Sequence, residues 1–147
     1  MPRIYTTKEM LGKLVAFPSV SSESNLPVIA FIEAYLAEHG VESRRVYDVS
    51  GLKSNLYAQI GPNVEGGVVL SGHTDVVPTV GQDWHTDPYH LTEIDGKLFG
   101  RGSCDMKGFI ATGLALVPEM VAADLKFPIQ FALSYDEEVG CIGAPFM

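Results

Sequence analysis

The sequence predicts an α/β fold: a mostly parallel or mixed central sheet flanked by helices. Three observations carry this expectation. Segments with the 3.6-residue spacing of a buried helical face alternate with short strand-like runs. Two of those runs, Val68-Val69-Leu70 and residues 129–133, have the apolar character of strands covered on both faces. Glycine and proline punctuate the joins between segments.

The elements follow in order. Thr6 and Glu9 have the spacing of a capping box, and Met10, Leu11, Leu14 and Val15 then form an apolar stripe that Phe17-Pro18 ends. Asn25 is placed to cap a second helix, with Pro27 in its first turn. Val28, Phe31, Ile32, Tyr35 and Leu36 form its buried face, and Gly40 is its stop. Residues 41–49 read as a strand. Leu56, Ala58 and Ile60 alternate as another, closed by Gly61-Pro62-Asn63. Residues 91–99 read as a hairpin turning at Asp95-Gly96, and residues 109–117 as a helix that Pro118 ends or kinks. Residues 143–147 read as the start of another helix.

The 147 residues suit one domain, and a hydrophobic content of 46% is ample for a core. A formal charge of −8 argues against nucleic acid or an anionic membrane as partner. No run approaches the about 18–20 apolar residues of a membrane span. The first residues lack the apolar stretch of an export signal, which predicts a cytoplasmic protein with Cys104 and Cys141 reduced.

Three clusters can carry chemistry. Ser71-Gly72-His73-Thr74-Asp75 directly follows the run 68–70. A neutral imidazole ligates zinc well, and an acid two residues on can turn back to the other ring nitrogen and fix its tautomer. The alternative is a turn in which Asp75 only accepts backbone hydrogen bonds. Gly100-Arg101-Gly102-Ser103-Cys104-Asp105-Met106-Lys107-Gly108 leads into a helix, where Asp105 is either a carboxylate able to bridge two cations or a helix cap. A phosphate loop is excluded: Asp105 occupies the place of the third glycine in G-x-G-x-x-G, and its charge repels phosphate. Asp136-Glu137-Glu138 follows the run 129–133. Adjacent carboxylates repel unless a cation is near. The alternative is a solvated acidic turn, but the preceding strand delivers these acids to the sheet edge where α/β proteins bind ligands. One glutamate would then bind metal while its neighbour moves protons. Two divalent cations would offset the charges of Asp75, Asp105, Glu137 and Glu138.

These blocks, together with Val76-Val77-Pro78, resemble the signature segments of the aminoacylase, carboxypeptidase and acetylornithine deacetylase family of dinuclear zinc hydrolases. They occur in the family's order and span nearly the whole chain. The flanking segments Ala16-Phe17-Pro18-Ser19-Val20-Ser21, Trp84-His85-Thr86-Asp87-Pro88-Tyr89 and residues 136–143 are most similar to the acetylornithine deacetylase branch, with succinyl-diaminopimelate desuccinylase the near alternative. The resemblance implies a zinc-peptidase-like catalytic domain. His73 would be a ligand of one zinc, Asp105 the bridge between two, and Glu138 a ligand of the second. Asp75 would orient His73, Glu137 would be the general base, and the Asp105-Met106 peptide bond would be cis.

It further implies Zn2+ as cofactor, two ions per complete site with Co2+ as a substitute, and a small-molecule N-acyl amino acid as partner. The expected reaction is hydrolysis of N-acetylornithine to ornithine and acetate. Each metal would have two protein ligands in this chain where a catalytic zinc takes about three. The family supplies the others from a later acidic residue and a distal histidine. Residues 1–147 are therefore expected to be the N-terminal part of a truncated catalytic domain. The lid or dimerisation domain would be absent and the full-length form a homodimer. His39, His85, His90, Cys104 and Cys141 are the substitutes within the chain; His39 and His85 read as surface residues and the cysteines as packing residues. The expectation from another class is an inactive fragment serving as a non-catalytic module. A truncated sheet would also leave apolar surface prone to association.

Overall fold

A computed structural model describes residues 2–147. The elements are α1 (Thr7–Val15), α2 (Leu26–Glu38), β1 (Ser43–Tyr47), β2 (Ser54–Ile60), β3 (Val68–His73), β4 (Thr92–Ile94), β5 (Lys97–Phe99), α3 (Lys107–Ala115), α4 (Val117–Ala122), β6 (Ile129–Ser134) and a 3-10 turn, Ala144–Phe146. The central sheet runs β1-β2-β6-β3, and β4 with β5 forms the separate hairpin. Both β1 against β2 and β2 against β6 are antiparallel, while β3 lies parallel to β6. The sheet is thus mixed, and its parallel pair is the part that matters for chemistry. Pairing His73 with Ser134 brings the carboxyl ends of β3 and β6 to one edge.

The core forms on one face of this sheet. Leu56, Ala58 and Ile60 alternate along β2, and Ala58 and Leu56 sit opposite Phe131 and Leu133 of β6. Against them pack Met10, Leu11, Leu14 and Val15 of α1, Val28, Ile29, Ile32 and Leu36 of α2, and Ile110, Ala111 and Leu114 of α3. The opposite face is more polar: Gln59 and Gln130 bond to each other there, and Arg44 stacks over Tyr57. The alternation along the second half of β2 therefore reflects a sheet more open on one side, whereas β6 is buried at every residue from Phe131 to Ser134.

Local signals account for most element ends. The Thr6–Glu9 capping box is present in both directions, and Gly40 ends α2 with φ +74. Pro118 sits in the first turn of α4, so it starts a helix after the break at Leu116. Three expectations need correction. Asn25 makes no capping bond at α2. Its buried amide instead bonds the Ser54 carbonyl and the Thr74 hydroxyl, and its oxygen accepts the Ser54 N–H. The strand expected over 41–49 is shorter, Ser43–Tyr47. Val68 and Val69, expected to be covered on both faces, are 57% and 54% exposed, because β3 is an edge strand of the described sheet.

Among the described residues, no helix is long and apolar enough to cross a membrane.

Candidate metal centre

His73 is the last residue of β3, so the strand carries its ring to the carboxyl edge of the sheet. Asp75 lies two residues on, where the chain forms a parallel bridge between Val20 and Val76. That bridge draws residues 19–21 alongside: the Ser21 N–H donates to the Val76 carbonyl, and the Val76 N–H to that of Ser19. The Asp136-Glu137-Glu138 turn follows β6 and arrives beside Asp75. The Asp105 loop enters from the start of α3.

Asp75 is the buried hub, 2% exposed. Its carboxylate accepts the Ser21 hydroxyl at 2.6 Å and the backbone N–H groups of Glu137 and Glu138 at 3.1 and 3.2 Å. Burial opposes its ionisation, but the nearby His73 ring and the hydrogen bonds from Ser21 and those two amides outweigh it and hold the carboxyl at about 2. The expected contact with His73 takes a different form. Nδ1 of the ring lies 2.9 Å from the Asp75 carbonyl oxygen and 3.5 Å from its carboxylate. The shorter contact assigns the Nδ1 proton to the carbonyl, with the carboxylate as an electrostatic neighbour. Nε2 is left facing the carboxylates.

Nε2 lies 3.0 Å from Asp105 Oδ1 and 3.7 Å from Glu137 Oε2. His73, Asp105 and Glu138 each present a ligand atom within 4.8 Å of the others. Burial first, and then the Asp105 carboxylate, push the Glu138 carboxyl above its ordinary range. Its acidic neighbours thus leave negative charge that a cation would relieve. One imidazole nitrogen and converging carboxylates are a donor set that suits zinc or cobalt, so the residues present fit a metal. Asp105 is not a helix cap: the N-cap of α3 is Met106 and makes no side-chain capping bond. The Asp105–Met106 peptide bond is cis.

Glycines shape the Asp105 loop. Gly102 has φ +77, and a Cβ there would lie 2.7 Å from the Val76 side chain. At Gly108 a Cβ would meet the Ser103 carbonyl oxygen at 2.5 Å. Both ends of the loop are therefore closed to larger residues.

Of the remaining candidates, His85 and His90 are exposed and His39 is half-buried. His39 bonds the Arg3 carbonyl, far along the chain from the three clusters. Cys104 and Cys141 are free and exposed, not packed as expected; the Cys141 thiol lies 3.6 Å from Glu137 Oε1. Sequence reasoning assigned no role to Ser21, Lys53 or Lys107. Lys107 is the largest fully buried side chain, with its ammonium on the Phe17 carbonyl at 2.7 Å. Burial pushes it down to about 8, opposed by Asp75.

Protonation of His73 gives a testable pH dependence. Burial of the ring favours the neutral form, but hydrogen bonds to Asp75 and Asp105 outweigh it and raise His73 to about 9. Below that pH a metal must displace a proton from the ring. Apparent zinc affinity is therefore expected to rise about tenfold per pH unit from pH 7 towards 9, then level off. Calorimetry in buffers of different ionisation enthalpy would count the released proton. An affinity flat across that range would mean either that His73 is already neutral at pH 7 or that it is not a ligand, and His73→Ala separates the two.

This fold gathers a histidine and acids at one sheet edge, a constellation able to hold a metal ion. The family model described as peptidase family M20/M25/M40 matches residues 69–147, and the chain belongs to that family. It is 36% identical to acetylornithine deacetylase of Pasteurella multocida over 98% of this chain and 39% of that protein. It is 39% identical to acetylornithine deacetylase of Yersinia pseudotuberculosis over 94% of this chain and 38% of that protein. Human carnosine dipeptidase 1 superposes with a TM-score of 0.78 at 30% identity, covering 93% of this chain and 33% of its own. The chain thus spans about two fifths of the curated relatives it matches.

Proposed function

We propose that this chain is the N-terminal part of the catalytic domain of a metal-dependent amidohydrolase that removes the acyl group from an N-acyl amino acid. N-acetylornithine is the substrate that the named relatives favour. The observation that carries the proposal is the convergence of His73, Asp105 and Glu138 over a buried Asp75. In it, His73 and Asp105 would hold one zinc, and Glu138 and Asp105 the second. Such ions, when bound, lower the pKa of water and polarise the amide carbonyl.

The chain's own residues would divide the rest. Asp75 sets the ring of His73 through its carbonyl and carboxylate and fixes the amides of the two glutamates. Glu137 is half-exposed and faces the cluster, which suits it to take a proton from water and return it to the leaving amine. The same reading makes the full-length protein a cytoplasmic homodimer of arginine biosynthesis, with neither nucleic acid nor membrane as partner.

Elemental analysis of single variants separates the two glutamates. Glu138→Gln is expected to lower bound zinc, while Glu137→Gln leaves it at the parent level. The opposite order would reverse their roles, and no zinc in any sample would end the metal reading. Turnover of N-acetylornithine by the 147-residue chain alone is expected to be weak, because His73, Asp105 and Glu138 shared between two ions leave each with two protein ligands where a catalytic zinc takes about three. A kcat within the ordinary enzyme range of about 1–1,000 per second would contradict that. A panel including succinyl-diaminopimelate decides between the two acyl groups.

A further inference from the structure

The Lys53 ammonium stands one layer behind the site. It bonds both carboxylate oxygens of Asp136, at 2.7 and 2.6 Å, and the Ser21 carbonyl oxygen. Three acceptors match its three N–H donors. The pair is largely buried, with side-chain exposures of 18% for Lys53 and 12% for Asp136. Asp48 fixes the backbone of Lys53 by accepting its N–H at 3.0 Å.

Both groups gripped by Lys53 lead to Asp75. Ser21 donates its hydroxyl to the Asp75 carboxylate. Asp136, at φ 55, turns the chain into Glu137 and Glu138, whose N–H groups donate to the same carboxylate. A closed ring results: Lys53, Ser21, Asp75, the two glutamate amides, Asp136 and back to Lys53. No other cation reaches Asp136 among the described residues.

We propose that Lys53 is a positioning residue for the acids of the site: its ammonium locks the Asp136 turn and the Ser21 segment onto Asp75, and so sets where Glu137 and Glu138 stand. Only the meaning given to those two acids rests on the function proposed above. A lysine that merely stabilised the fold would protect the sheet and the turn alike, whereas a positioning lysine protects the turn in particular.

Residue-resolved amide hydrogen exchange on the whole chain makes that distinction without any metal. In Lys53→Met, exchange at Glu137 and Glu138 is expected to quicken at least tenfold relative to β2 and β6, and Lys53→Arg to restore much of the protection. Cobalt affinity of Lys53→Met should fall at least tenfold in parallel. Unchanged exchange at Glu137 and Glu138, or loss spread evenly over β2 and β6, overturns the inference. Should Lys53→Met not fold, Asp136→Asn removes the same pair and is read at the same amides. A parent chain that bound no cobalt would refute the metal reading, while the exchange result would still decide the role of Lys53.

Discussion

Asp105→Ala is expected to lower zinc affinity by more than about 100-fold, beyond the roughly 10–100-fold that loss of a residue supporting a ligand costs. The fold should survive. The Asp105 side chain is 75% exposed, makes no helix cap, and has His73 Nε2 as its hydrogen-bond partner. Circular dichroism and thermal midpoint should match the parent within error while isothermal titration shows the loss. Because a bridging carboxylate serves both ions, stoichiometry should fall as well as affinity. A variant that still bound zinc at parental strength would show that Asp105 is a surface acid near the cluster.

Asp75→Ala should act the other way round, through the fold first. It leaves the Ser21 hydroxyl and the Glu137 and Glu138 amides without the acceptor they share. Each unsatisfied buried group costs about 1–3 kcal/mol, so a loss of about 3–5 kcal/mol in urea unfolding is expected. Linkage gives the sign with pH. The folded carboxyl, at about 2, lies below its ordinary value of 3.8. Its contribution is therefore present above about pH 4 and lost as pH falls through 2. The parent should lose roughly 2 kcal/mol more than Asp75→Ala across that interval. Parallel pH profiles for the two proteins would mean that Asp75 is not the buried anion described.

The three chemical clusters were legible in the sequence for a reason the structure makes plain. Two of them directly follow strands, and β3 and β6 are parallel neighbours, so their ends meet. Gly102 and Gly108 closed the third into a loop, leaving Asp105 as its chemical group. What the sequence hid depends on contacts between distant segments. The tie from Lys53 to Asp136 spans 83 residues and that from Ser21 to Asp75 spans 54, and neither has a local pattern. Asn25 has the residue type and place of a helix cap, but the oxygen that would cap the helix accepts the Ser54 N–H instead, while its N–H groups donate to Ser54 and Thr74. Exposure of Val68 and Val69 was equally hidden, since an apolar run looks the same whether its strand lies inside a sheet or at an edge.

The most direct measurement is anomalous scattering at the zinc edge from crystals of the chain grown or soaked with zinc. The account predicts density about 2.0–2.2 Å from His73 Nε2 and from an Asp105 carboxylate oxygen, with any second ion beside Glu138 and about 3.5–4 Å from the first. Zinc density only at other residues, or none beside His73 at saturating metal, would contradict it.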